Sequence, residues 1–342
     1  MDKKIKIITV ATACALLISI LSAAVWTMFS DIKNEVGSSD AQSAIANVSR
    51  GRFNLLVAGT DRTSGLTDVM MLLSLDRDAN TVSILQIPRD TYAAYTDKSY
   101  KKLNGAYGAL GGGRELANFI SDAFAIKIDR YAVLSPDALR AAVDAVGGVE
   151  IELDEPLYYR DPHQGLSISL PKGKQILNGE RAEQFIRYRS GYASGDIGRM
   201  DAQKVFMTAL FKKLSTELSP LSLAKLASGL IGKTDTDITP ADIGMLSREL
   251  SSIGADKVYF VTAPGEAADA KSGASYYALS KSAMDRLLSE RFGGTVGSFD
   301  KKEVFLNKNN KAFGSIYESE REYTVYSAEN IAENGLGNAS AP

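Results

Sequence analysis

The chain has 342 residues, of which 45% are hydrophobic, and its 39 Lys and Arg nearly balance 41 Asp and Glu, for a formal net charge of −2. That balance excludes a general nucleic-acid binder, which would carry a broad excess of positive charge. One cysteine and one histidine exclude a disulfide framework, a cysteine-rich zinc centre and a repeated histidine relay.

After Lys3, Lys4 and Lys6, an uncharged apolar run extends from Ile7 to Phe29, long enough to cross a bilayer as one helix. The lysines mark the cytoplasmic side, so residues 1–30 read as a cytoplasmic stub and transmembrane helix with the rest of the chain outside. A cleaved signal peptide is the competing reading. Ser22-Ala23-Ala24 offers small residues for a peptidase, but such a segment has an apolar region of roughly 7–15 residues, shorter than this one. The lone Cys14 lies inside the run, and Trp26 suits the outer interface. Residues 31–51 are polar and small, as in a stalk.

A domain is expected over 52–292. Phe53–Ala58 reads as a buried strand ending in the loop Gly59-Thr60-Asp61. Val69–Leu75 and Thr81–Ile87 read as a hairpin, which Pro88-Arg89-Asp90 ends. Leu116, Phe119, Ile120 and Phe124 form one face of a helix over Arg114–Phe124. Tyr131–Leu134 reads as a strand. Ser135-Pro136 then opens a helix to Val146, with a capping hydroxyl and a first-turn proline, and Gly147-Gly148 stops it before the strand Val149–Leu153. Asn178–Gln184 reads as a short helical start feeding an extended Phe185–Arg189, and Met200–Leu214 as an amphipathic helix. The chain is expected to stay helix-rich to about Ile253, with Pro220 and Pro240 as boundaries. A strand over Lys257–Thr262 and a final helix within Tyr276–Phe292 complete the domain, leaving 293–342 as a weakly ordered appendage. Strands alternating with helices, plus a hairpin, predict a three-layer α/β/α domain around a central mixed sheet.

The stretch FIRYRSGYASGDIGRMDAQ concentrates Arg187, Arg189, Arg199 and Gln203 around a glycine-containing turn. In an extended segment Arg187 and Arg189 project from one face, and Arg199 and Gln203, four apart on a helix, share another. Guanidinium forks suit phosphate oxygens. Taken alone, the cluster also reads as solvated side chains paired with Asp161, Asp196 or Asp201. Asp61 and Asp68 bracket the loop after the first strand, and such a pair suits Mg²⁺, a hard cation that shares its coordination with substrate phosphates; ordinary turn chemistry is the alternative. His163 lies in a loop, and Ser64 and Ser190 have no recognisable triad partner.

FNLLVAGTD, TDVMMLLSLDRD, IPRDTY, KLNGAYGALGG, DAVGGVEIEL, LNGERAEQFIRYRS and GDIGRMDAQK, in that order, resemble successive blocks of the LytR-CpsA-Psr family of envelope phosphotransferases. The resemblance covers roughly residues 52–292. It implies transfer of a glycopolymer, such as teichoic acid or capsule, from an undecaprenyl-pyrophosphate carrier to peptidoglycan, by a domain held outside the cell membrane on one helix. It further implies that Asp61 and Asp68 bind Mg²⁺. Arg89, Arg187, Arg189 and Arg199 would hold the pyrophosphate together with Gln203, Lys102 and Asn104, with Asp90 orienting Arg89. Asp61, Arg89, Arg187 and Arg189 would form the catalytic group, with Asp61 the candidate to help deprotonate the acceptor hydroxyl. An isoprenoid carrier asks for an apolar tunnel, for which Val205, Phe206, Leu210 and Leu214 are candidates, although they suit ordinary core equally well. Leu66 stands where many relatives have arginine, and Arg62 is the candidate to compensate. Hydrolysis of a polyprenyl pyrophosphate and non-catalytic binding of a lipid carrier are the alternative functions.

Overall fold

The computed structural model describes residues 51–61, 65–95, 102–161, 166–192, 195–217, 234–239, 241–242, 245–246, 249, 253–298, 322–334 and 336. The expected membrane helix, the stalk except Gly51, Arg62, Ser64, His163, Pro220 and Pro240 lie outside them. Among the described residues no helix is long and apolar enough to cross a membrane.

The first expected strand sits inside β1 (Arg52–Thr60), whose side chains alternate between two apolar layers. Leu55 and Val57 enter one layer, Leu56 and Ala58 the other. A strand covered on both faces needs no polar side, so its sequence is a continuous apolar run. β2 (Thr67–Asp76) pairs antiparallel with β1 and turns back into β3 (Thr81–Gln86), forming the expected hairpin. The short helix α1 (Ala106–Leu110) and the amphipathic α2 (Gly113–Phe124) follow, then β4 (Arg130–Leu134), which lies parallel to β1. Ser135 accepts a hydrogen bond from the Ala138 N–H at 3.2 Å and so caps α3 (Pro136–Ala145) as its sequence predicts. Gly147 and Gly148, at φ +75° and +89°, end it with a left-handed turn.

Two small ribbons come next. β5 (Val149–Leu153) pairs with β8 (Gly173–Leu177), and β6 (Leu157–Asp161) with β7 (Leu166–Leu170). The chain then enters α4 (Gly179–Arg187) and α5 (Asp196–Glu217). β9 (Thr234–Thr236) pairs with β4, so the stretch expected to be helical to Ile253 contains an edge strand. Beyond it, β10 (Val258–Thr262) lies parallel to β3, β11 (Gly265–Asp269) pairs with β12 (Ser275–Leu279), and α6 (Lys281–Arg291) is the expected late helix.

The weakly ordered appendage predicted over 293–342 is corrected where it is described. β13 (Val325–Ser327) pairs antiparallel with β10, and α7 (Ala328–Asn334) buries Ala328 and Ile331 in the core. A three-residue strand followed by a seven-residue helix is too short to show either period in sequence.

The seven-stranded sheet runs β13-β10-β3-β2-β1-β4-β9 with mixed parallel and antiparallel pairs. One face packs against α3, α4, α5 and α7 through Ala142, Phe185, Phe206 and Ile331; the other packs against α2 and α6 through Ile120, Phe124 and Leu287. Helices on both faces of a mixed sheet give the α/β architecture expected from sequence.

Candidate active site

The site forms where β1 and β2 part. Their register shifts between Gly59 and Thr60, so that Gly59 faces Val69, Thr60 faces Thr67, and Asp68 is left over as a bulge. Bulges re-aim a side chain, and this one directs the Asp68 carboxylate to Arg89, whose Nη1 donates to Asp68 Oδ1 at 2.6 Å. Across the loop, the Asp61 N–H donates to the Leu66 carbonyl at 2.9 Å, which closes the turn that carries Leu66.

Arg187 and Arg189 do not project from one extended face. α4 runs through Arg187 because Asn178 caps its start, accepting from the Arg181 N–H at 2.9 Å, and because Ala182 and Phe185 give it a core-facing stripe. Arg187, in the last turn, donates to buried Glu183 one turn earlier at 3.1 Å. Arg140 of α3 binds the other Glu183 oxygen. The backbone becomes extended at Tyr188, which enters the core and meets Tyr192 edge-on at 5.3 Å, while Arg189 stands exposed. A Cβ on Gly191 would lie 2.3 Å from the Tyr188 hydroxyl, so a larger residue here would have to displace the Tyr188 ring. Burial pushes the Tyr192 phenol up to about 12.

α5 begins earlier than the sequence predicts, at Asp196, and its first turns carry three site residues. Arg199 is only 3% exposed; its Nη2 donates to the Asp68 carbonyl at 3.1 Å and lies 2.7 Å from Asp196 Oδ1. Asp196 Oδ1 is also 3.4 Å from Arg89 Nε. Gln203 donates to the Ile186 carbonyl at 3.3 Å and ties α5 to α4. Lys204, one residue on, is buried between Asp201 at 2.8 Å and the Tyr326 ring at 5.4 Å, so the C-terminal strand braces the helix that presents Arg199.

Two guanidiniums and two carboxylates therefore interlock, and they are not electrostatically equivalent. At Arg89 burial opposes the charged form, yet the fields of Asp68, Asp196 and Asp90 together with the Asp68 hydrogen bond raise its pKa. At Arg199 burial prevails over Asp196 and Asp68, and the positive charges of Arg89 and Arg189 add to the lowering. Burial thus outweighs the neighbouring carboxylates at Arg199, whereas at Arg89 the carboxylates prevail.

Beside this network opens a cavity of about 790 Å³, counting its mouth. Asp61, Asp68, Glu183, Arg187 and Gln203 stand on its lining with Val57, Val69, Met71, Leu139, Ile186 and Met207. The apolar lining comes from β1, β2, α3, α4 and α5. It differs from the expected one: Phe206 and Leu210 pack in the main core and Val205 against it without lining the cavity, whereas Met207 of the same helix does line it. The side chain of Leu214 lies outside the described residues.

The predicted residues thus converge unequally. Asp61, Asp68, Arg187 and Gln203 share the cavity, and Arg89 and Arg199 join it through Asp68. Asn104 is buried behind them, its N–H donating to the Arg89 carbonyl at 3.0 Å and its carbonyl accepting from Thr67 Oγ1 at 3.3 Å. Lys102 is paired with Asp90 at 3.0 Å and lies over Tyr276, so Asp90 anchors Lys102 where the sequence reading had it orient Arg89. Glu183 and Arg140 were missed. A helix running to Arg187 would have revealed Glu183 as its i−4 partner. Among the described residues no group of three or more His, Cys, Asp or Glu is arranged to hold a metal.

The sheet end of this α/β domain thus joins an arginine cluster to an apolar cavity. The chain belongs to the LytR_cpsA_psr family, whose sequence profile matches residues 22–292. It is similar to the polyisoprenyl-teichoic acid–peptidoglycan teichoic acid transferase TagV of Bacillus subtilis (strain 168), with 28% identity over 217 residues, 61% of this chain and 55% of that protein. The chain therefore spans about half the length of that curated relative. With the enzyme of the same description, TagU, of Oceanobacillus iheyensis it shares 25% identity over 284 residues, 80% of this chain and 86% of that one. The crystal structure of B. subtilis TagV superposes with a TM-score of 0.61 at 24% identity, over 72% of this chain and 100% of that chain, a likeness of fold.

Proposed function

We propose that this protein transfers an anionic glycopolymer, teichoic acid, capsule or a similar polymer, from an undecaprenyl-pyrophosphate carrier to peptidoglycan. The observation that carries the reading is the continuity of the guanidinium cluster with the apolar cavity. A pyrophosphate needs the first and an isoprenoid needs the second, and one lipid-linked substrate supplies both. Family membership and the transferase activity by which the TagV and TagU relatives are named support the same reaction.

An acceptor sugar hydroxyl attacks the phosphorus nearer the polymer. A new oxygen–phosphorus bond forms, the bond to the bridging oxygen breaks, and undecaprenyl phosphate leaves with that oxygen. Arg89, Arg187 and Arg199 stabilise charge on the phosphoryl oxygens, and Asp61, on the cavity lining, would accept the hydroxyl proton when it is not holding a metal ion. Glu183, fixed by Arg140, holds Arg187 on the cavity lining. Two hard carboxylates, Asp61 and Asp68, suit Mg²⁺, which commonly uses only one or two protein carboxylates beside phosphate and water. Such an ion would neutralise phosphate charge. The Ile7–Phe29 run would hold the domain outside the cell membrane, next to its lipid-linked substrate.

Arg187→Ala is expected to weaken binding of an isoprenyl pyrophosphate by about 30-fold or more, the loss typical of a buried charged contact. Arg189→Ala is expected to cost only about threefold, because an exposed charge is screened by water and salt. Titration calorimetry of both variants against the unsubstituted protein checks that order. The function itself is tested by combining the protein, Mg²⁺, a lipid-linked polymer mimic and peptidoglycan oligomers and resolving the products by mass. A covalent glycan–peptidoglycan adduct is expected. Released phosphate species without an adduct would make the protein a hydrolase, and binding without turnover a carrier protein.

A further inference from the structure

Asp196 poses a problem that the proposed reaction leaves open. Its carboxylate lies against the two arginines meant for substrate, yet neither of its buried oxygens makes a directed hydrogen bond with any described residue. Arg89 Nε and Arg199 Nε are likewise buried without a hydrogen-bond partner among the described residues. The contacts of Asp196 Oδ1, 2.7 Å to Arg199 Nη2 and 3.4 Å to Arg89 Nε, thus hold by charge alone. Asp68, by contrast, has a directed hydrogen bond from Arg89 at 2.6 Å.

Buried donors left without acceptors carry a standing cost, and a site that keeps them awaits a group that satisfies them. A phosphoryl oxygen can accept directed hydrogen bonds from both guanidiniums, which Asp196 does not do. We propose that Asp196 is a displaceable counter-anion: it neutralises Arg89 and Arg199 in the empty site and gives them up to an incoming pyrophosphate. The proposal rests on the reading that the site takes a lipid-linked pyrophosphate and adds to it a residue that sets affinity and release. Without Asp196, buried Arg199 and partly buried Arg89 would repel each other, with Asp68 as the remaining carboxylate that contacts both among the described residues. With it, the empty clamp stays charge-matched, and binding exchanges a poorly directed anion for a well-directed one. The same exchange in reverse lowers the barrier to product release, since the monophosphate lipid leaves its second phosphate behind and offers the arginines fewer oxygens than the substrate did.

The sign of one substitution tests this. Full-length protein in detergent, with a chelator present, is titrated with geranyl pyrophosphate and with geranyl monophosphate. Asp196→Asn removes the competing charge at nearly constant shape and is expected to bind the pyrophosphate about tenfold more tightly than the unsubstituted protein. The preference for pyrophosphate over monophosphate is expected to narrow in the variant. Glu180→Gln, an exposed carboxylate removed from the first turn of α4, is expected to change affinity less than about twofold. Asp196→Ser replaces Asp196→Asn if the melting temperature shows the latter to be unfolded. Weaker or unchanged binding by a folded Asp196 variant would overturn the proposal, as would equal tightening by Glu180→Gln. Failure of the unsubstituted protein to bind geranyl pyrophosphate would instead overturn the substrate reading beneath it.

Discussion

Replacing Arg199 with alanine is expected to abolish measurable turnover and to weaken isoprenyl-pyrophosphate binding by about 2–5 kcal/mol, a factor of roughly 30 to several thousand. Its guanidinium is almost fully buried and reaches both the Asp68 carbonyl and Asp196, so truncation removes a cation held in contact with both. It also leaves Asp68 and Asp196 facing each other with Arg89 as their remaining close cation, and breaking a buried ion pair on one side typically costs about 3–5 kcal/mol of stability. Affinity and melting temperature should therefore fall together. Arg199→Lys is not expected to restore binding, because an ammonium cannot span two directions as a planar fork does. Calorimetric titration with thermal unfolding of both variants is the check, and an Arg199→Ala protein that keeps its affinity would remove this residue from the anion site.

The second large effect concerns a residue that touches no substrate. A Cβ added at Gly179 would lie 2.3 Å from the Arg140 carbonyl oxygen and 2.7 Å from the Arg140 Cα, both backbone atoms of α3 that cannot rotate away. Gly179 opens α4, and its N–H donates to Asp144 of α3 at 2.7 Å, so the two helices approach closely where the Glu183–Arg140 contact is made. Gly179→Ala must push them apart. Overpacking of this kind costs about 3 kcal/mol, which in a domain this large lowers the melting temperature by roughly 6–12 °C. Because α4 also carries Arg187, substrate affinity is expected to fall with it, and thermal unfolding followed by titration measures both.

How far the site could be read in sequence depended on the reach of each signal. β1, the hairpin of β2 and β3, and the capped helix α3 were legible because local chemistry determines them: a run of apolar residues, a polar turn, a serine followed by proline. The position of Asp68 was not, since a bulge depends on register with a partner strand, and the composition of TDVMM is the same with or without it. The helix through Arg187 was cut short because RYR alternates like a strand, whereas burial of Ala182 and Phe185 decides for helix. Arg199 and Gln203 stood out by their spacing in one stretch, and Asp196 was legible there as a partner for its arginines, which it is for Arg199. Arg89 was assigned by resemblance to a family, and its contacts with Asp68 and Asp196 exist only once three segments far apart in the chain are brought together. The cavity was expected on chemical grounds and its lining was misassigned, because a helix's apolar stripe does not say which part of it faces core and which faces empty space. Val57 and Met71 are strand residues indistinguishable in sequence from their neighbours. The C-terminal strand was invisible for a simpler reason, its length of three residues.

The central claim is that a single ligand places its pyrophosphate among the arginines and its isoprenoid in the adjoining cavity. Photolabelling with an isoprenyl pyrophosphate that carries a diazirine at its hydrocarbon end tests it most directly, with the modified peptides identified by mass. Label on Val57, Leu139, Ile186 or Met207, suppressed by excess unlabelled lipid pyrophosphate and lost in Arg199→Ala, is the expected result. Label confined to surfaces outside the cavity, or cavity label indifferent to competitor and to Arg199, would contradict it.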